Sequence, residues 1–179
     1  MTMNGGEILI LTGAPGSGKT TVARMLTEMR GAPKVHLHAD DFWHAIRHGA
    51  IAPYRPEAHA QNAVVIDVLA NAAARYAAGG FFVIVDGIVG PWFLAPFRAL
   101  TPILHYVVLR PSLDTAVARC RARGGDTLTN ADTIAYLHRQ FAALGELEHH
   151  GLPIGQMDMT QTADAVVAAV RSHRFRLYG

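Results

Sequence analysis

The sequence has a single cysteine, Cys120, so no internal disulfide can form, and no Cys-x-x-Cys or His-Glu-x-x-His spacing gives it partners for a zinc site. A reducing cytoplasm is the expected compartment. No apolar run approaches the ~20 residues that a membrane helix needs. The start, Met1-Thr2-Met3-Asn4-Gly5-Gly6, lacks the basic residues and the apolar core of a secretion signal; no membrane partner is expected. Charge of one sign is equally scarce. Sixteen Lys and Arg against 14 Asp and Glu leave a formal net charge of +2, which gives no electrostatic reason to expect nucleic acid. Also missing are an Asn-Lys-x-Asp segment, which argues against a guanine-reading switch, and a Leu-Ser-Gly-Gly-Gln segment, which would mark a transporter ATPase.

What is present is ordinary globular material. The 179 residues are 50% apolar, enough for one compact domain over 1–179 with a real core, as a monomer or homodimer. Ile8 to Leu11 is a short continuous apolar run ending at Thr12-Gly13, the pattern of a parallel strand buried on both faces. Beyond a glycine-rich turn, Val22, Met25, Leu26 and Met29 recur at helical spacing. A second strand is expected over 34–38 and a third over 81–85. The fourth is expected over 103–109, and a weak fifth over 154–157. Between them lie helices: an alanine-rich one opened by Pro56 with its stripe through Val64, Val65, Val68, Leu69, Ala72 and Tyr76; a short one around 91–99; one from Pro111 to Gly124; one capped by Asn130 or Asp132; and a last one capped by Thr162. Alternating strands and helices with right-handed crossovers give a parallel sheet of about five strands covered on both faces. Such a three-layer α/β/α sandwich binds ligands at the carboxyl ends of its strands.

The glycine-rich turn carries the chemistry. Gly13-Ala14-Pro15-Gly16-Ser17-Gly18-Lys19-Thr20 fits Gly-x-x-x-x-Gly-Lys-Thr, in which a bent backbone aims successive N–H groups at phosphate oxygens where a helix begins. Lys19 adds a full charge at the β- and γ-phosphates and the Thr20 hydroxyl can ligate Mg²⁺; Thr21 follows in the same turn. This predicts ATP and Mg²⁺ as cofactors. Asp40 and Asp41 fall just past the second strand, at the same sheet edge. Asp40 is the expected base for an acceptor hydroxyl, whereas Asp41 better suits an N-cap. Asp86 ends the third strand, where it either holds Mg²⁺ or grips the substrate, unless it only forms a turn with Gly87. Arg119 and Arg123 lie four apart on one helix face before Gly124-Gly125. There they serve either as lid arginines that neutralise the transferring phosphoryl group or as a solvated basic face. The segment from Phe42 to Arg55 reads as a mobile cap. Histidines 36, 38, 149 and 150 read as strand or surface residues, and Trp43, Trp92 and Phe93 as acceptor pocket or core.

The phosphate-loop sequence Gly-Ala-Pro-Gly-Ser-Gly-Lys-Thr-Thr, the Asp40-Asp41-Phe42 site and Arg119-x-x-x-Arg123 together resemble the nucleoside and nucleotide kinase-like branch of P-loop proteins. That branch includes shikimate, gluconate and adenylylsulfate kinases, chloramphenicol phosphotransferase and polynucleotide kinase domains. The resemblance implies a P-loop NTPase fold with a short lid, Mg-ATP as cofactor and an aspartate at position 40 that acts on the acceptor. It also implies arginines that touch the ATP phosphates. The expected activity is transfer of the γ-phosphate to a hydroxyl of a small-molecule acceptor. The alternatives are a nucleotide or polynucleotide kinase, for which Arg47, Arg55 and Arg98 would line a basic channel, and an ATPase switch.

Overall fold

The computed structural model describes residues 3–123 and 130–178. Strand β1, Glu7–Gly13, lies centrally, and every one of its residues is buried. Its alternation explains the layering: Ile8 and Ile10 enter one apolar cluster, and Leu9 and Leu11 enter a second on the opposite face, as the two-residue period of a strand requires. Helices α1, Lys19–Glu28, and α7, Met159–Arg171, pack on the second face. Helix α3, His59–Ala78, and the short α4, Ala95–Arg98, cover the first.

Around β1 the strand order is β2-β3-β1-β4-β5, all parallel, with β2 over Lys34–His38, β3 over Phe82–Asp86, β4 over Ile103–Arg110 and β5 over Gly151–Pro153. One edge of β4 is taken by β1. The other is shared: β5 pairs in parallel at Val108–Arg110, and a two-residue strand β6, Arg176–Leu177, pairs antiparallel at Leu104–His105. The sheet therefore has six strands, and its last member runs against the rest.

Several expectations shift. The fifth strand is displaced from 154–157 to Gly151–Pro153, because pairing with β4, not local apolarity, selects it; Ile154 is buried next to it as core. The last helix starts earlier than Thr162. Asp158 caps it, accepting from Gln161 N while Gln161 Oε1 accepts from Asp158 N, a reciprocal capping box. Helix α3 sits on the sheet through Val65, Ile66, Leu69, Ala70, Ala73 and Ala77, leaving Val64, Val68 and Tyr76 exposed. The helix is apolar almost all round, so its periodicity admits two stripes, and the face with the small alanines allows the closer approach. Helix α6, Ala131–Ala142, is capped by Asn130, and a 3₁₀ turn follows at Gly145–His150. Helix α2, Ala39–His44, follows β2 with His38 at its N-cap position and no side-chain cap. Asp41 thus lies inside the first turn, where its charge suits the helix dipole. Helix α5 spans Leu113–Arg123. Among the described residues no helix is long and apolar enough to cross a membrane.

Candidate active site

The chain leaves β1 at Gly13 and re-enters helix at Lys19, turning through backbone that only glycine adopts without strain. Gly16 has φ 77° and Gly18 φ 90°; a Cβ on Gly16 would collide with the carbonyl of Ala116. Gly18 occupies the N-cap of α1 and offers it no side-chain cap. The first-turn N–H groups of α1 have no intrahelical acceptors and so point the positive end of the helix into the loop. Lys19 Nζ lies 3.5 Å from the Ala14 carbonyl, folded back over the same loop. Ser17 Oγ is buried without a hydrogen-bond partner, an orphaned donor in a cradle otherwise made of backbone. A helix N-terminus, the buried Ser17 hydroxyl and the Lys19 ammonium gathered at one loop fit a polyanion such as a nucleotide phosphate chain.

Parallel register brings Asp86 beside this loop, since Leu11 and His38 are its lateral neighbours on β1 and β3's other flank, β2. Its carboxylate is fully buried and engaged at both oxygens. Oδ2 accepts from the Thr20 hydroxyl at 2.5 Å; Oδ1 contacts His36 Nε2 at 2.5 Å and His38 Nδ1 at 3.0 Å. Burial alone would raise its pKa, but the bonds from His36, His38 and Thr20 hold it well below the usual carboxylate range. The hydrogen bond to Asp86, with its charge, correspondingly raises the pKa of His38 against the opposing effect of burial. A carboxylate so enclosed cannot grip an acceptor, which removes one of the two roles expected of it. The Thr20 bond uses that hydroxyl's proton and leaves its oxygen lone pairs to a hard cation. Mg²⁺ typically takes one or two protein ligands and keeps several waters, so this donor set fits it. Among the described residues no group of three or more His, Cys, Asp or Glu forms a metal cage.

Asp40, one residue into α2, stands 3.6 Å from His38 Nε2 through Oδ2 and keeps 55% of its side chain exposed. His38 thus lies between two carboxylates, the sealed Asp86 and the open Asp40. Gly87, at φ 155°, makes the approach of the two elements possible, because a Cβ there would sit 2.5 Å from that of Ala39. Asp40 opens onto a cavity of about 450 Å³ walled by Trp43, His44, Ala50, Ile51, Ala52, Pro53 and Gln61; Asp41 does not line it. The loop forming the far wall is tied down: Gln61 accepts from Ile51 N at 2.8 Å and donates to Ile51 O at 2.7 Å, and Asn62 donates to Pro53 O. Trp43 gives its indole N–H to Asn62 and lies 6.0 Å from the Phe93 ring.

On the other side of the phosphate loop an open cleft is lined by Gly18, Thr21, Arg119, Ala122, Asp158 and Met159. Arg119 Nη1 is buried there without a partner and lies beside Gly18 of the loop, while the residue as a whole is half-buried. The side chain of Arg123 and the Gly124-Gly125 hinge lie outside the described residues. The arginines considered for a basic channel are elsewhere: Arg55 pairs with Glu57 at 3.4 Å, Arg98 donates to Tyr178 O, and Arg47 lines no part of the Asp40 cavity.

Sequence reasoning missed His36 and His38. Their spacing of two puts both on one face of an edge strand, and the strand ending in Asp86 is its neighbour; this signal was available only once the strand order was known. Met159 and the Gln61–Asn62 clip left no sequence signal.

No curated protein matches the chain in sequence. Solved structures do resemble it in fold. A sugar kinase from Janibacter sp. HTCC2649 is 17% identical with TM-score 0.67, over 92% of this chain and 94% of that one. The tunicamycin resistance protein of Deinococcus radiodurans is 20% identical with TM-score 0.68, over 92% and 95%. Shikimate kinase from Acinetobacter baumannii is 19% identical with TM-score 0.62, over 93% and 94%. Identities this low speak for the fold alone. These structures share the P-loop kinase-like fold with this chain; a family model described as AAA domain matches residues 8–144, most of the sheet and the whole phosphate loop, and the chain accordingly belongs to that family.

Proposed function

We propose that the protein is a phosphotransferase that moves the γ-phosphate of ATP, with Mg²⁺, to a hydroxyl of a small-molecule acceptor. One observation carries this reading: the phosphate loop and an exposed aspartate opening into a cavity stand at the same end of the sheet, joined through His38, Asp86 and Thr20. Residues Gly13 to Thr21 cradle the phosphates, and Lys19 carries the balancing charge. The open cleft beside the loop, with Arg119 and the thioether of Met159 in its wall, admits the rest of the nucleotide. Thr20 would ligate Mg²⁺, with Asp86 fixing its hydroxyl; the ion, when bound, neutralises charge on the β- and γ-phosphates.

Asp40 takes the proton of the acceptor hydroxyl as its oxygen bonds to the γ-phosphorus; the bond from that phosphorus to the bridging oxygen breaks, and ADP leaves. Arg119, with Arg123, offsets the charge spreading over the phosphoryl oxygens. His38, 3.6 Å from Asp40, is a positioning residue that holds the carboxylate toward the cavity.

Mg-ATP turnover against a panel of alcohols tests the reading. The Asp40→Asn variant is expected to lose transfer by roughly 10²–10⁴-fold, the range of a general base, while binding ATP as before. Slow turnover indifferent to every acceptor and to position 40 would favour a nucleotide switch instead.

A further inference from the structure

The cavity beside Asp40 carries more information than its position. Its lining contains one carboxylate, Asp40, one histidine, His44, and otherwise Trp43, Ala50, Ile51, Ala52, Pro53 and Gln61. Beyond Asp40 and His44, the polar groups in that wall are already used. Gln61 spends both ends of its amide on the backbone of Ile51, and the Trp43 N–H is given to Asn62. What faces a ligand is therefore indole, methyl and pyrrolidine surface, with the His44 imidazole and a single negative charge, Asp40.

Sites that select carboxylates or phosphates present arginine or lysine, because an anion taken from water needs a cation or several donors in return. None lines this cavity among the described residues. Arg55 is turned to Glu57 and Arg98 to the Tyr178 carbonyl, and His44 is the one lining side chain able to carry positive charge. An anionic acceptor would instead meet the Asp40 carboxylate at close range, with only the imidazoles of His44 and, behind Asp40, His38 to set against the repulsion.

We infer that the acceptor is an uncharged or cationic alcohol with an apolar body, carrying no carboxylate or phosphate of its own. This rests on the phosphotransferase reading, in which the hydroxyl oxygen bonds to the γ-phosphorus, its proton passes to Asp40, and ADP departs. The apolar body packs against Trp43, Ile51 and Pro53 and excludes water from the reacting hydroxyl.

The test presents a panel of hydroxylated acids, shikimate and gluconate among them, each as free carboxylate and as its methyl ester, together with n-butyl glucoside and a 5′-hydroxyl dinucleotide. Transfer from ATP and binding are read separately, the latter by emission of Trp43 in a Trp92→Phe background. The expected result is a kcat/KM at least about tenfold higher for the esters and the glucoside than for the free acids, with quenching that follows the same order. In an Ala50→Arg variant, which places a cation on the exposed rim, the preference should shrink by about tenfold. Faster transfer to the acids or the dinucleotide overturns the inference and leaves the phosphotransferase standing. Quenching by the neutral forms without any transfer overturns the phosphotransferase and leaves the cavity's selectivity standing. Quenching that favours the acids, or saturation by nothing in the panel, overturns the inference.

Discussion

Histidine meets carboxylate at both ends of the sheet, and the two meetings differ. At the carboxyl end, Asp86 draws in His36, His38 and Thr20, and its histidines reach a side chain open to solvent. At the amino end, Glu7 on β1 meets His105 on β4 at 2.9 Å, with both side chains nearly or fully buried. His38 is raised in pKa by its bond to Asp86. His105 is lowered, since its desolvation outweighs the bond to Glu7, and Arg176 and His173 add to the effect. The buried Nδ1 of His105 has no partner, so a second proton there would create an N–H with no acceptor. A histidine beside a carboxylate thus holds its proton more readily at the open carboxyl end of the sheet and less readily where the core is closed.

Replacing Asp86 should show the larger effect. Asp86→Ala frees Thr20 and both histidines at once, so transfer is expected to fall about 10–100-fold, as when an outer partner of a metal ligand is removed, and stability by roughly 1.5–3 kcal/mol. Steady-state kinetics and urea unfolding measure the two; an Asp86→Ala protein with full activity would erase the distinction between the ends. Glu7→Ala is the counterpart. It should cost about 1–3 kcal/mol by stranding His105, visible as a lower unfolding midpoint, and leave activity per folded molecule unchanged.

The smallest effect is the pH response of the neutral end. A histidine with a lowered folded pKa binds its proton more readily when unfolded, so its contribution is complete above the unfolded value near 6.5 and is lost as pH falls below it toward the folded value. His105 behaves so, and His150, lowered chiefly by burial with the Tyr106 carbonyl opposing, adds in the same direction. The contribution of these two groups to stability should fall between pH 7 and pH 5, by up to about 1.4 kcal/mol per unit pH for each, against the gain that the raised His38 makes over the same range, and melting temperature measured against pH reads the balance. In a Glu7→Gln, His105→Leu double variant the slope should flatten, and an unchanged slope would remove His105 from the account.

How far the sequence reveals this molecule follows the range of the forces involved. The phosphate loop is legible because glycine spacing, the apolar run before it and the helix after it are contiguous, and the structure places Lys19, Thr20 and Asp40 at one edge as that order implies. The register that sets Asp86 beside His36 and His38 depends on strands 50 residues apart in sequence, and no local pattern encodes it. Strand β5 was misplaced for the same reason, since three residues at an edge are strand only because β4 lies next to them. The exposure of Val64 and Val68 follows from which of two apolar stripes packs more closely, a tertiary choice. The Asp40 cavity is assembled by the loop over 45–55 folding against α3, and its walls are residues with no chemical signature of their own.

That loop is fastened to α3 chiefly by Gln61 and Asn62, neither of which belongs to the phosphate loop or to the Asp40–His38–Asp86 chain. The wall of the cavity is therefore an exchangeable cassette. Its residues can be rewritten while the two amides keep their grip on the backbone at Ile51 and Pro53, so that the shape of the cavity changes without disturbing the carboxylates and histidines behind it.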